Sequence, residues 1–195
     1  MTDKTLKIAG IVLGLAAFLA AGILIFGLYA GDGNLTGSSP QGTVSPGSET
    51  ADTSRFPATV SGLALAGADS GPQAIAMISQ LHGTDIQIKQ GYIINYAGDR
   101  GQVTVWISES GSEDEAKQLF DIMDQKIIAA QQPSGQSQGP PFTDRRTMEK
   151  NGVDVAAVKG MGMENYYYWI GSKVYWIAAE GVDPVKALEE IMEAF

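Results

Sequence analysis

Hydrophobic and polar positions divide the chain into three stretches. Residues 8–30, IAGIVLGLAAFLAAGILIFGLYA, are continuously apolar and uncharged. Residues 31–55 show no period. From residue 56 onward, stretches that alternate with period two are interleaved with stretches of helical period.

The 23 residues of the first stretch predict a transmembrane helix. At about 1.5 Å per residue, a helix of that length crosses a ~30 Å hydrocarbon core. A lone span in lipid must pair its backbone groups internally, and only a helix does so. A signal-peptide core is usually shorter, and Leu28-Tyr29-Ala30 is a poor cleavage context. The expected partner of residues 8–30 is therefore the lipid bilayer. Lys4 and Lys7 precede the span, whereas Asp32, Glu49 and Asp52 follow it before Arg55. That asymmetry predicts a cytoplasmic tail over 1–7 and an extracytoplasmic C-terminal region. Gly10, Gly14, Ala17 and Ala21 form a stripe of small residues, the pattern that lets membrane helices approach closely. It suggests self-association or a membrane-protein partner.

Residues 31–55 hold sixteen Gly, Ser, Thr or Pro in 25 positions. Such a segment buries too little apolar area to offset the entropy of ordering, so a flexible linker is expected. Its coil reach would be roughly 25–30 Å. Asn34-Leu35-Thr36 fits the N-glycosylation pattern.

The remainder predicts one domain over 56–195. A strand is expected at 59–65. A helix follows at 72–82, with Ser70 as its cap and Pro72 in its first turn. Strands at 85–96 and 102–108 flank a glycine turn. Ser112 and Glu115 form a capping box for a second helix, whose stripe is Ala116, Leu119, Phe120, Met123 and Ile127. Residues 131–141 are expected to be a long loop. Strands at 142–150 and 153–159 turn at Asn151-Gly152, a dipeptide suited to a type I′ hairpin. Strands at 165–170 and 173–178 precede a third helix. Asp183 would cap it, Pro184 would start it, and Val185, Leu188, Ile191 and Met192 would be its buried stripe.

The expected fold class is thus α+β, with a mostly antiparallel sheet of six or seven strands and about three helices. Two stretches, GYIINYAGDRGQVTVWISES and NYYYWIGSKVYWIAAE, share one order of features. Each has an aromatic strand, a glycine turn, a strand carrying Trp-Ile and a capped helix. They predict two β-β-α units, with Trp106 and Trp176 as matching anchors and all helices on one face. Residues 89–96 and 165–170 would lie centrally.

Composition narrows the chemistry. There are no cysteines and one histidine, which excludes thiolate metal sites, cysteine nucleophiles and multi-histidine sites. The net charge is -9, and without Asp3, Lys4 and Lys7 the rest is more acidic still. That argues against nucleic acid and anionic lipid surfaces as partners. His82 reads as a structural histidine at a helix end, since no nucleophile signature accompanies it. Asp99, Glu109, Asp144, Glu164 and Glu180 lie near turns, where two could converge for acid–base work or calcium binding. Gly160-Met161-Gly162-Met163 lacks any phosphate-loop pattern and reads as a bend. No catalytic residue, metal site or cofactor is assigned.

The aromatic strands carry the binding expectation. If helices cover one face only, tyrosines on the other face stay exposed, and exposed aromatic surface marks binding. The candidate binding residues are Tyr92, Tyr96, Trp106, Tyr166, Tyr168 and Trp176. The expected function is a membrane-anchored extracytoplasmic binding domain or accessory subunit. The alternative is a tethered hydrolase that uses carboxylates.

Overall fold

The computed structural model describes residues 49–82, 87–131, 142–160 and 162–195, and the side chains from 51–79 and 87 onward within them. The expected span with Gly10, Gly14, Ala17 and Ala21, the sequon at Asn34, the loop over 132–141 and the His82 side chain lie outside that set. Among the described residues no helix is long and apolar enough to cross a membrane.

The domain is α+β. In chain order its strands are β1 (Glu49–Thr50), β2 (Thr59–Val60), β3 (Leu63–Ser70), β4 (Gln90–Gly98), β5 (Gly101–Glu109), β6 (Thr143–Lys150), β7 (Val153–Gly160), β8 (Met163–Ile170) and β9 (Lys173–Glu180). Its helices are α1 (Gly71–His82), α2 (Glu113–Ala130) and α3 (Pro184–Ala194). All strands join one antiparallel sheet in the order β1-β3-β4-β5-β9-β8-β7-β6, with β2 also on β3. The centre is the β5–β9 junction, one strand inward from β4 and β8, which were expected there.

Local chemistry explains most element ends. The Ser112 hydroxyl accepts from the Glu115 amide at 3.2 Å, and Glu115 Oε2 accepts from Gly111 N at 2.7 Å. The side chain reaches one residue further back than in the standard capping box. Asp183 Oδ1 accepts from the Val185 and Lys186 amides at 3.0 and 3.2 Å, with Pro184 opening the helix. Asn151 and Gly152 both take positive φ (53° and 76°), as a type I′ turn requires. The β2–β3 turn repeats this at Ser61 and Gly62 (52° and 74°), so the single strand expected over 59–65 is instead a hairpin. Ser70, the expected cap, stands directly before α1. It is also the last residue of β3, paired with Tyr92, and Gly71 breaks the strand at φ 78°.

The expected linker ends earlier than residue 55. Residues 49–60 lie along the outer edge of β3 as a strap. Glu49 and Thr50 pair with Ser70 and Asp69. Ala51 N donates to Ala68 O, and Leu65 N to Ala58 O, both at 3.0 Å. Asp52 caps a short 3-10 turn over Thr53–Arg55. Ala51, Phe56 and Val60 are buried in the main core.

Both faces of the sheet are covered, which corrects the expectation of helices on one face. α3 and the strap cover the face that carries Ile94, Tyr96, Val103, Val105, Tyr166, Tyr168, Tyr175 and Ile177. α2 covers Ala156, Val158, Tyr167 and Val174 on the opposite face, and α1 covers Ile93 on that same face. Gly91 lets α1 sit directly on β4: a Cβ there would meet Ile78 Cδ1 at 2.9 Å and Ile75 N at 3.2 Å.

The two predicted units do meet across the sheet. Gly98 pairs with Gly101 at one turn and Ile170 with Lys173 at the other. By that correspondence Val105 matches Ile177, and those two are themselves partners at the β5–β9 junction. The tryptophan anchors do not correspond. Trp106 matches Ala178, and Trp176 matches Thr104, although the two indoles are direct neighbours across the junction. The helices break the symmetry. A two-fold axis through an antiparallel junction keeps each face on itself, so α3 would belong on the α1–α2 side. α1 already covers that half of the sheet, and α3 packs on the other face.

Candidate functional site

The face under α3 is closed. Tyr96, Tyr166, Tyr168 and Tyr175 are buried, and Tyr168 stacks on Tyr175 with centroids 4.8 Å apart. Tyr92 is half-buried beneath Phe56, with centroids at 5.9 Å and the Arg55 guanidinium 5.5 Å from its ring centroid. Burial pushes the Tyr96 hydroxyl up to about 12, and burial likewise raises Tyr166, Tyr168 and Tyr175. The Tyr96 hydroxyl has no hydrogen-bond partner among the described residues. Four of the six aromatics expected to form a binding surface, Tyr92, Tyr96, Tyr166 and Tyr168, thus share this face. Three of those four are sealed in the core. Ala187, Leu188 and Ile191 of α3 do the sealing. Val185, expected in the α3 stripe, is exposed instead, and Met192 is only half-buried.

Trp106 and Trp176 point to the opposite face, where they meet in register between α1 and α2. Both are half-buried. Trp106 packs against the side chains under α1 and those under α2. Trp176 stacks on Tyr167 at 5.0 Å with ring planes 8° apart, and Phe142 closes on it at 5.5 Å.

Polar side chains continue this strip toward the β4–β5 turn. The Trp176 indole N–H donates to Asn165 Oδ1 at 3.1 Å, and Asn165 Nδ2 donates to Met163 O at 3.2 Å. Asn165 is fully buried, so both ends of its amide are matched and the indole is held in one orientation. The Thr104 hydroxyl donates to Asn95 Oδ1 at 3.0 Å, and Gln102 Nε2 donates to Glu180 Oε2 at 2.8 Å. Asn95, Gln102 and Thr104 are half-buried, and Glu180 is exposed. Two indoles, the amides of Asn95 and Gln102, a hydroxyl and one carboxylate can stack on and hydrogen-bond to a ligand.

A second polar group holds α2 to the sheet. Arg145 Nε and Nη2 donate to the two Asp124 oxygens, each at 2.7 Å, and the Tyr167 hydroxyl donates to Asp124 Oδ1 at 2.7 Å. Burial and the bond to Asp124 raise the Tyr167 hydroxyl well above the usual phenol range. Asp124 raises Arg145 through the same paired bonds. The signal for this group lies in spacing. Asp124 falls four residues after Phe120 and three before Ile127, on the edge of the apolar stripe.

The turn carboxylates hold separate partners. Asp144 pairs with Lys159 at 3.1 Å, Glu164 pairs with Arg146, and Glu180 accepts from Gln102. Among the described residues no three His, Cys, Asp or Glu side chains gather as a metal site would need.

No family model and no curated protein matches the chain. One solved structure that it resembles is described as a GTP binding regulator from Thermotoga maritima. The match has 11% identity and a TM-score of 0.35, and it covers 57% of this chain and 65% of that one. The chain therefore spans less than two thirds of that protein's length, and a likeness this distant carries no argument here.

Proposed function

We propose that this protein is a membrane-tethered, extracytoplasmic binding domain or accessory subunit, and that its binding surface is the strip between α1 and α2. The observation that supports the reading is a contrast in burial. The tyrosines under α3 are shut in, whereas Trp106 and Trp176 stay half-buried beside polar groups already fixed by hydrogen bonds. Rigid aromatic surface next to oriented amides lowers the entropy lost when a partner binds. The apolar span over 8–30 and its charge asymmetry support the tether and its direction.

The test is purification of the full-length protein from native membranes in mild detergent, with Thr104→Arg and Gly10→Leu/Gly14→Leu variants beside it. A stoichiometric partner that is lost with Thr104→Arg, at unchanged melting temperature, supports the strip. Loss only with the glycine variants moves the contact to the span. A protein that carries no partner overturns the subunit reading.

A further inference from the structure

The two edges of the sheet are protected in opposite ways. β6 ends one side with TDRRTMEK, five charged residues in eight, and with an irregular register near Asp144 at φ 54°. Charge and bulges are standard defences against strand addition. β3 ends the other side with LALAGADS, whose first six residues carry no charge. Its defence is the strap. That cover is slight: two strands of two residues each, with a 3-10 turn between them.

From these observations we infer that a second copy of this chain docks at the β3 edge by laying its own residues 49–60 there, so that two copies exchange straps. This goes beyond the strip between α1 and α2 and does not depend on it. The occupant that best fits an edge shaped by a strap is the same strap from a neighbour. It would bring identical anchors, with Ala51, Phe56 and Val60 entering the same core positions. The strap is also joined to β3 through only Ser61 and Gly62. Closed within one chain, this hinge needs positive φ at both residues, including the non-glycine Ser61. Opened between chains, it needs neither. In the closed form Ser61 N donates to Glu190 Oε2 at 2.6 Å. Exchange of an element across a short, strained hinge is a low-cost route to a dimer.

The chain has no cysteine of its own, so engineered thiols report cleanly. Thr59 and Ala64 are exposed register partners. The bond from Leu65 N to Ala58 O places them at a non-hydrogen-bonded pair, about 4.5 Å between Cα atoms, which is within disulfide reach. Full-length T59C and A64C chains are co-expressed, extracted in mild detergent, oxidised and resolved without reductant. Exchange predicts a T59C–A64C heterodimer at least ten-fold above either like-with-like dimer. Gly62→Ala strains the closed turn, where a Cβ would also meet Arg100 Nη2 at 2.6 Å, and is expected to raise that yield several-fold. A heterodimer no more abundant than the like-with-like dimers, with and without Gly62→Ala, overturns the inference.

Discussion

The two faces of the sheet use their aromatic residues differently. Under α3 the tyrosines are packing material, stacked on each other and on α3 and buried to their hydroxyls. Between α1 and α2 the aromatics are tied to polar partners: Trp176 to Asn165, and Tyr167 to Asp124. The first arrangement draws its stability from area and fit. The second gives orientation at the expense of coverage. Aromatic content alone therefore does not locate a binding surface, and the exposure left to each ring is the better guide.

The largest effect expected from this contrast is at Tyr168. Tyr168→Ala removes a fully buried ring from its stack with Tyr175 and leaves a cavity, for a loss of about 3–5 kcal/mol in denaturant unfolding. Next is Asp124→Ala, which strands a half-buried guanidinium and a buried phenol. A loss of about 2–3 kcal/mol is expected, and Asp124→Asn is expected to recover part of it. Thr104→Val keeps shape and loses one bond to Asn95, for about 0.5–1.5 kcal/mol. If Thr104→Val cost as much as Tyr168→Ala, the open strip would be core, and the distinction between the faces would collapse.

The smallest effect at neutral pH, and the sharpest in pH dependence, belongs to Tyr96. Its hydroxyl moves from 10.0 in the unfolded chain to about 12 in the fold. The folded state then holds a proton that the unfolded state releases, so stability is intact below pH 10 and falls as pH rises toward 12. Tyr166, Tyr167, Tyr168 and Tyr175 are shifted the same way, so they steepen the fall. Unfolding midpoints measured across that window, with tyrosinate absorbance alongside, check the sign. Tyr96→Phe is expected to be near neutral at pH 7 and to flatten the alkaline limb.

Features set by a few neighbouring residues were legible in the sequence. Ser112 with Glu115, Asn151-Gly152 and Asp183-Pro184 all act where their chemistry says, because each satisfies backbone groups within a few positions. Seven strands of eight or nine residues match the six or seven expected. The side taken by each helix was not legible, because it follows from occupancy. Nothing in PVKALEEIMEA says that α1 already holds the place its repeat would assign. The misreading of Tyr166 and Tyr168 as exposed follows from that one error. The repeat was visible, but its register was not. Two Trp-Ile pairs invite alignment on the indoles, whereas the turns Asp99-Arg100 and Gly171-Ser172 set the true correspondence. The strap was missed because GSETADTSR has the composition of a coil, and only the uncovered edge of β3 recruits it.

The strap also alters how far the domain can travel. If residues 8–30 are the proposed anchor, composition alone would run the tether to residue 55, but the chain is already committed to β3 at Glu49. If residues 31–48 are the proposed tether, a coil of that length would reach roughly 21–25 Å and sweep about three fifths of the volume open to 31–55. Molecules anchored in that way would meet any neighbour inside a smaller shell close to the surface. Under that reading, lengthening or shortening the stretch would set how crowded each domain finds its surroundings without touching a single residue of the fold.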